Sequence, residues 1–481
     1  MDDHVARWIL AGLLASFCLA GATEAVAAAP ADAAAAMRYK MQFRHFTMAD
    51  GLPSRRLRAL VQDTTGFLWI GSDAGLARFD GVEFDVFRRE AHVAGSIGGN
   101  RFDVLMVDRA GRVWAGGIGS GLSRRDADGS FTTWRHVEGE SRSLADDDVQ
   151  ALAEGHDGEV WIGTRHRGLF RLRPDGGWPE PVAYSPPGTR PTGAGEVNAL
   201  HMDSDGTLWM GGGHGLARRD ARGNWTWLDF PGGPPPAVHA LDVGDGGLRV
   251  ASERGLFVVN GDHVQLVEGT AGRQVTASLR DSRGTLWVAL AGAGLLLIEP
   301  DGQAVQVSPR PYLPHGLPGR HVVRLLEDHE GGIWCALSDG GLAYVGPGWE
   351  RFFLLAHVPD ETLGLPRRAA TAVASARNGD AWVGGMHGWI ARMSVTSETV
   401  VERLPDVGAR VDALLEAADG TLWIGTARGL MARPAGKDAV RAVTGPTEAV
   451  TGLVQSPSGT VYASTRNHGV WKLEPGHASA S

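Results

Sequence analysis

Gly66-Phe67-Leu68-Trp69-Ile70-Gly71-Ser72-Asp73-Ala74-Gly75-Leu76 recurs with small changes ten times along this 481-residue chain. Its anchor is Trp69, Trp114, Trp161, Trp209, Arg249, Trp287, Trp334, Trp382, Trp423 and Tyr462. Neighbouring anchors are separated by 45, 47, 48, 40, 38, 47, 48, 41 and 39 residues. A period of about 40 to 48 residues is the length of one four-stranded propeller blade. With only 16 Trp in the chain, eight in register are no accident of composition.

Each unit reads as short strands. Around Trp209, Val197-Asn198-Ala199-Leu200 alternates as a half-buried strand should, and Asp205-Gly206 supplies a tight turn. Leu208 to Gly211, Leu216 to Arg219 and Trp225 to Leu228 then complete a four-stranded unit. The same order recurs at Val149 to Gly163 and at Val411 to Gly425. Blades stack face to face, so an aromatic at one fixed position fills the wedge between neighbours. The glycine two residues later leaves room for the adjoining blade. The Trp series is therefore read as core, and the fold class as an all-β propeller. On the same logic Arg249, the one charged anchor, is expected to matter less for stability than Trp161.

The 68 Gly residues and the lack of a sustained 3.6-residue apolar period beyond the N-terminus agree with an all-β body. A net charge of -9, with no basic run interleaved by aromatics, argues against a nucleic-acid partner.

Residues 1–29 form a different segment. Trp8 to Ala22 is an apolar stretch of signal-peptide length, followed by Ala25, Ala27 and Ala29 in the small-residue pattern that signal peptidase accepts. The expectation is export to the periplasm, with an uncleaved membrane anchor as the alternative. Cys18 follows Phe17, which speaks against lipidation. Cys335 is then the one cysteine of the mature chain, expected to be a buried, inert thiol.

Asp50-Gly51-Leu52-Pro53-Ser54, Leu60-Val61-Gln62-Asp63, Gly66 to Gly71 and Gly75-Leu76-Ala77-Arg78-Phe79-Asp80-Gly81 together resemble the opening of the two-component regulator propeller family. The resemblance extends over about residues 41 to 475. It implies a periplasmic sensor region. Such family members commonly carry two seven-bladed propellers, a small β-sandwich with three tyrosines, a transmembrane helix and a cytoplasmic histidine kinase or diguanylate cyclase. The present sequence has ten repeats and ends at Ser481, so a truncated or split gene product without its output domain is the expectation.

Ten repeats permit two architectures. The resemblance favours seven blades closed within residues 38–350, with Met41 to Phe46 lending an edge strand, and three blades of an incomplete second propeller within 351–475. Alternatively all ten curl into one larger ring.

Specific enzyme motifs are absent: no H-E-x-x-H, no G-x-S-x-G, no Walker loop and no CxxC. No catalytic residue, metal site or cofactor is assigned. His166, His214, His387 and His468 recur at the turn between second and third strands but lie in different repeats, without short ligand spacing. In a propeller these turns lie on the face that surrounds the mouth of the central channel. The candidate ligand-binding rim is Arg165, His166, Arg167, His214, Glu253, Arg254 and Asp339, with Arg as the bidentate donor to a carboxylate or sulfate.

The function expected is a non-enzymatic, periplasmic ligand-sensing propeller of a transmembrane signalling system, two-component or cyclic-di-GMP in type. Its ligand would be a small molecule or glycan. Its partner would be a membrane-bound signalling protein or the missing C-terminal half. The alternatives are a periplasmic propeller enzyme resembling a lyase or lactonase, and a structural protein-interaction propeller.

Overall fold

The computed structural model describes residues 41–473 except 141, 175, 186–194, 245, 312–314, 349–363, 367, 395–398 and 438; the 1–29 segment lies outside them. Among the described residues there are nine four-stranded antiparallel sheets and one three-stranded sheet. No helix among them is long and apolar enough to cross a membrane. The chain falls into two compact units, 39–353 and 354–481.

Seven blades make up the first unit. Blade 1 shows the pattern: Leu57–Gln62, Leu68–Ser72, Gly75–Phe79 and Phe84–Phe87, in that order from the channel outward. The innermost strands of blades 2 to 7 are Val104–Val107, Val149–Glu154, Val197–Met202, Val238–Gly244, Val275–Arg280 and Val322–Glu327. Each lies against the next, and Val322–Glu327 lies against Leu57–Gln62, so the ring is closed. Blade 7 takes its outer strand from the other end of the unit. Arg44–Phe46 pairs antiparallel with Gly341–Val345, placing His45 opposite Ala343. A propeller sealed this way leaves no open sheet edge at the joint.

The anchor residues do what their periodicity implies. Trp69 is buried among Leu105, Val113 and Phe131 of blade 2, and Trp334 packs on Leu57, Leu60 and Ile70 of blade 1. The glycine two residues after the anchor makes the close approach possible. A Cβ on Gly163 would lie 2.6 Å from a Val197 methyl, and one on Gly211 would lie 2.4 Å from Val238. The leading valines of blades 3, 4 and 5, Val149, Val197 and Val238, thus seat in the glycine notches of the preceding blades, at Gly116, Gly163 and Gly211.

In five blades of the first ring the turn before the anchor is held by an aspartate. Asp63 accepts from the N–H groups of Thr65 and Phe67 through Oδ1, and from Trp69 Nε1 through Oδ2 at 2.8 Å. The same indole bond joins Trp114 to Asp108, Trp209 to Asp203, Trp287 to Asp281 and Trp334 to Asp328. One carboxylate six residues upstream therefore fixes both the turn and the orientation of the wedge residue.

Blade 5 corrects the expectation for its anchor. Arg249 is only 4% exposed and occupies the wedge position. Its Nε donates to Asp242 Oδ2 at 2.9 Å and its Nη2 to the Val243 carbonyl at 3.1 Å. An ion pair replaces the indole–carboxylate bond. Burial raises the Asp242 pKa, an effect the adjacent guanidinium opposes without cancelling.

The second unit holds blades 8 to 10, whose innermost strands are Ala370–Ser375, Val411–Glu416 and Val450–Gln455. The Gly384 and Gly425 notches receive Val411 and Val450, repeating the rule of the first ring. Val373 stands where Leu60, Leu152 and Leu414 are buried against a preceding blade, yet it is 73% exposed. Val454 and Trp471 of blade 10 are 59% and 41% exposed. Cys335 is buried, and its thiol pKa is pushed up to about 12 by that burial.

Candidate functional site

The mouth of the first ring is built by the turns between second and third strands, each tied to the chain entering its blade. The Arg165 N–H donates to the Asp148 carbonyl, Glu253 to Ala237, and Ser338 to His321. This bond sets the sequence-derived residues on one face. Arg165, His166 and Arg167 lie on blade 3, His214 on blade 4, Glu253 and Arg254 on blade 5, and Asp339 on blade 7. No hydrogen bond or ion pair among the described residues joins residues of different blades within this set.

The seven residues divide by what holds them. Arg254 donates to the carbonyls of Pro234 at 2.5 Å and Pro231 at 2.8 Å, bracing the loop into its own blade. Glu253 Oε1 accepts from the Ala237 N–H. Asp339 accepts from the N–H groups of Arg320 and His321. Burial pushes the Asp339 carboxyl up, but these bonds outweigh it and hold the pKa below the ordinary aspartate range. His166 Nδ1 lies 3.3 Å from Asp146 and 3.8 Å from Asp148. Those three groups come within 4.8 Å of one another. Both carboxylates already accept backbone N–H groups, from His166 and Gly119, so the cluster braces two loops. Arg165, Arg167 and His214 differ: they are exposed, and their side chains have no partner among the described residues.

An ion-pair chain runs beside this rim. Arg58 Nε donates to Asp73 at 3.0 Å, Arg101 lies 3.8 Å from Asp73, and Arg101 pairs with Asp103 at 3.1 Å. It stitches blade 1 to blade 2.

Below the rim lies the channel. In blade 1 and in blades 3 to 7 the register of the innermost strand slips at its second residue, between Leu57 and Ala59 and at the equivalent places. Such a bulge leaves one residue unpaired and re-aims its side chain. The residues so placed are Arg58, Gln150, Asn198, His239, Thr276 and Val323. Asn198 and Thr276 donate across the blade seam to the carbonyls of Val238, at 3.2 Å, and Val322, at 2.6 Å. Desolvation lowers the His239 pKa against the opposing charges of Glu253 and Glu196, favouring the neutral imidazole. Gln150, Asn198, His239, Asp242, Ser278 and Arg324 line a cavity of about 220 Å³. This polar lining was not identified from the sequence. Aligning the ten innermost strands position by position would have found it.

Residues 143–166, which run through the first two strands of blade 3, match the family model described as "Two component regulator propeller". No curated protein matches the chain. Among solved structures, it is similar to the extracellular domain of a proposed hybrid two component system from B. thetaiotaomicron, with TM-score 0.69 at 17% identity over 91% of this chain and 66% of that one. A second such domain from the same organism gives TM-score 0.51 at 17% identity, covering 90% of this chain and 58% of that one. A catalytically inactive virginiamycin B lyase from Staphylococcus aureus gives TM-score 0.50 at 14% identity, covering 64% of this chain and 99% of that one. The chain spans less than two thirds of the length of the two B. thetaiotaomicron domains. At these identities the likenesses establish the propeller fold.

Proposed function

We propose that this chain, a two component regulator propeller, is the exported, periplasmic ligand-sensing part of a transmembrane signalling system, and that it binds its ligand without transforming it. The observation that carries this reading is the contrast on the rim. Glu253, Arg254 and Asp339 are consumed by loop bracing, whereas Arg165 and Arg167 present two guanidinium groups to solvent at the channel mouth. Paired, unengaged arginines on a rigid face suit a carboxylate or sulfate, which they can meet bidentately. The likeness to extracellular domains of proposed hybrid two component systems supports the location and the role. The signalling output would be supplied by a membrane-bound partner or by a further part of the same protein.

A thermal-shift screen of acidic mono- and oligosaccharides, followed by calorimetry, tests this reading. Replacing Arg165 and Arg167 together by alanine should weaken binding of an acidic oligosaccharide about tenfold or more, the loss expected for charge-assisted bonds. The melting temperature should stay unchanged, because both side chains are exposed and unpartnered. Unchanged affinity in the double variant would remove these arginines from the site. Conversion of the ligand by the pure chain would replace sensing with catalysis.

A further inference from the structure

The ten innermost strands obey a common pattern. Counted from the position of Leu57, which Phe102 occupies in blade 2, the third residue is Ala59, Val104, Ala151, Ala199, Ala240, Ala277, Arg324, Ala372, Ala413 and Gly452, small or apolar in every blade but the seventh. Their fourth is Leu60, Leu105, Leu152, Leu200, Leu241, Ser278, Leu325, Val373, Leu414 and Leu453, aliphatic in every blade but the sixth. The two departures fall in adjacent blades and line the same cavity, a guanidinium where the repeat has alanine and a hydroxyl where it has leucine.

Neither departure is explained by the fold. Ser278 is 8% exposed, and its Oγ has no hydrogen-bond partner among the described residues. Gln150, on the same cavity, has a buried Oε1 without a partner. Arg324 donates through Nη1 to the Val323 carbonyl at 2.8 Å, and no carboxylate among the described residues lies within ion-pair distance of it. Asp103 supplies its opposing field, but Asp103 is already bound by Arg101 and the Ile118 N–H. The acid that lines the cavity, Asp242, is committed to Arg249. Buried polar atoms are ordinarily satisfied, and a cation in a confined channel calls for a counter-charge.

We propose that the channel of the first ring is a binding site for a small carboxylate carrying hydroxyl groups, of the size of one acidic sugar unit. Arg324 is its counter-ion, and Ser278 Oγ and Gln150 are polar contacts beside it. The guanidinium fork fits a planar carboxylate, and the neutral amides and hydroxyl around it fit hydroxyl groups. A cavity of about 220 Å³ has room for about seven waters at the volume each occupies in the liquid, or for one sugar ring. The proposal rests on reading the first ring as the ligand-bearing part of a sensor, and it gives that ring a site separate from the rim.

The substitutions that test it restore the repeat's own pattern, Arg324→Ala and Ser278→Leu, and so should leave the fold intact. Glucuronate and galacturonate at millimolar concentration should raise the melting temperature of the full mature chain, whereas glucose and inorganic sulfate should not. Calorimetry should show uronate affinity falling about tenfold or more in each variant. The Arg165→Ala/Arg167→Ala chain should bind the monosaccharide as tightly as the parent. Uronate binding that survives both channel substitutions, or an equal shift with glucose or sulfate, would overturn the channel site. Loss in the rim variant alone would move the ligand to the rim and leave the sensing role standing. Absence of binding by every probe would count against the channel proposal, while an acidic oligosaccharide that still bound at the rim would keep the sensor.

Discussion

Arg249→Ala should destabilise the first ring by about 3–5 kcal/mol, as much as Trp161→Ala, although one residue is charged and the other is a large aromatic. Both hold the anchor position of their blade, and both are almost wholly buried. Losing the indole of Trp161 leaves a cavity and frees Glu159 Oε1, which accepts from its Nε1 at 3.2 Å. Losing the guanidinium leaves Asp242 in a desolvated place without its counter-charge. The double variant Asp242→Ala/Arg249→Ala should therefore recover part of the loss, since it removes the stranded charge along with its partner. A pH signature follows. A carboxyl whose folded pKa is raised contributes stability that is present below its unfolded pKa and lost as pH rises through the folded one. The Asp242 pKa is already raised, and without Arg249 it rises further. The Arg249→Ala deficit should accordingly be larger at neutral pH than near the ordinary aspartate range. Urea unfolding of the three variants at two pH values measures this. A small, pH-independent deficit would mean that the pair carries little of the seam.

Phe46→Ala should have an effect of similar size, about 3–5 kcal/mol, through a different mechanism. Phe46 ends the strand that completes blade 7, and its ring packs against Phe79 at 5.2 Å and Trp334 at 5.5 Å. It thereby joins the beginning of the unit to both blades at the closing seam. Removing it weakens the closure as well as the local core, so hydrogen exchange should accelerate in Gly341–Val345 and in Leu57–Gln62 more than in blades 3 and 4. Uniform acceleration around the ring would contradict a localised joint.

The fold was legible because its requirements repeat. A wedge anchor that is aromatic in every blade but the fifth, a small residue two positions on, glycine in six repeats, and a turn glycine before the anchor recur, so a single chain offers ten views of one packing problem. The edge strand was expected at Met41 to Phe46 on the seven-blade ring that the resemblance implied, and Arg44–Phe46 is the part that pairs. The aspartate six residues before the anchor escaped notice, although it too repeats, because acidic residues at turns are common for reasons unrelated to a buried indole. Arg249 was expected to matter less because it is charged, whereas its partner Asp242 lies seven residues upstream and makes burial tolerable. The rim residues named from the sequence lie on the 2–3 turns, but which of them are free and which are braced depends on carbonyls such as those of Pro231 and Pro234 in a neighbouring loop. The channel lining depends on bulges, which shift side chains by one register without any marker in composition.

The claim that most needs a direct test is that the first ring binds an acidic ligand and releases it unchanged. Incubating the purified chain with glucuronate and with acidic oligosaccharides, measuring binding by calorimetry and then recovering the sugar for mass spectrometry, does so in one experiment. Saturable binding with full recovery of intact ligand is the expected result; cleavage or elimination products, or no saturable binding of any acidic sugar, would contradict it.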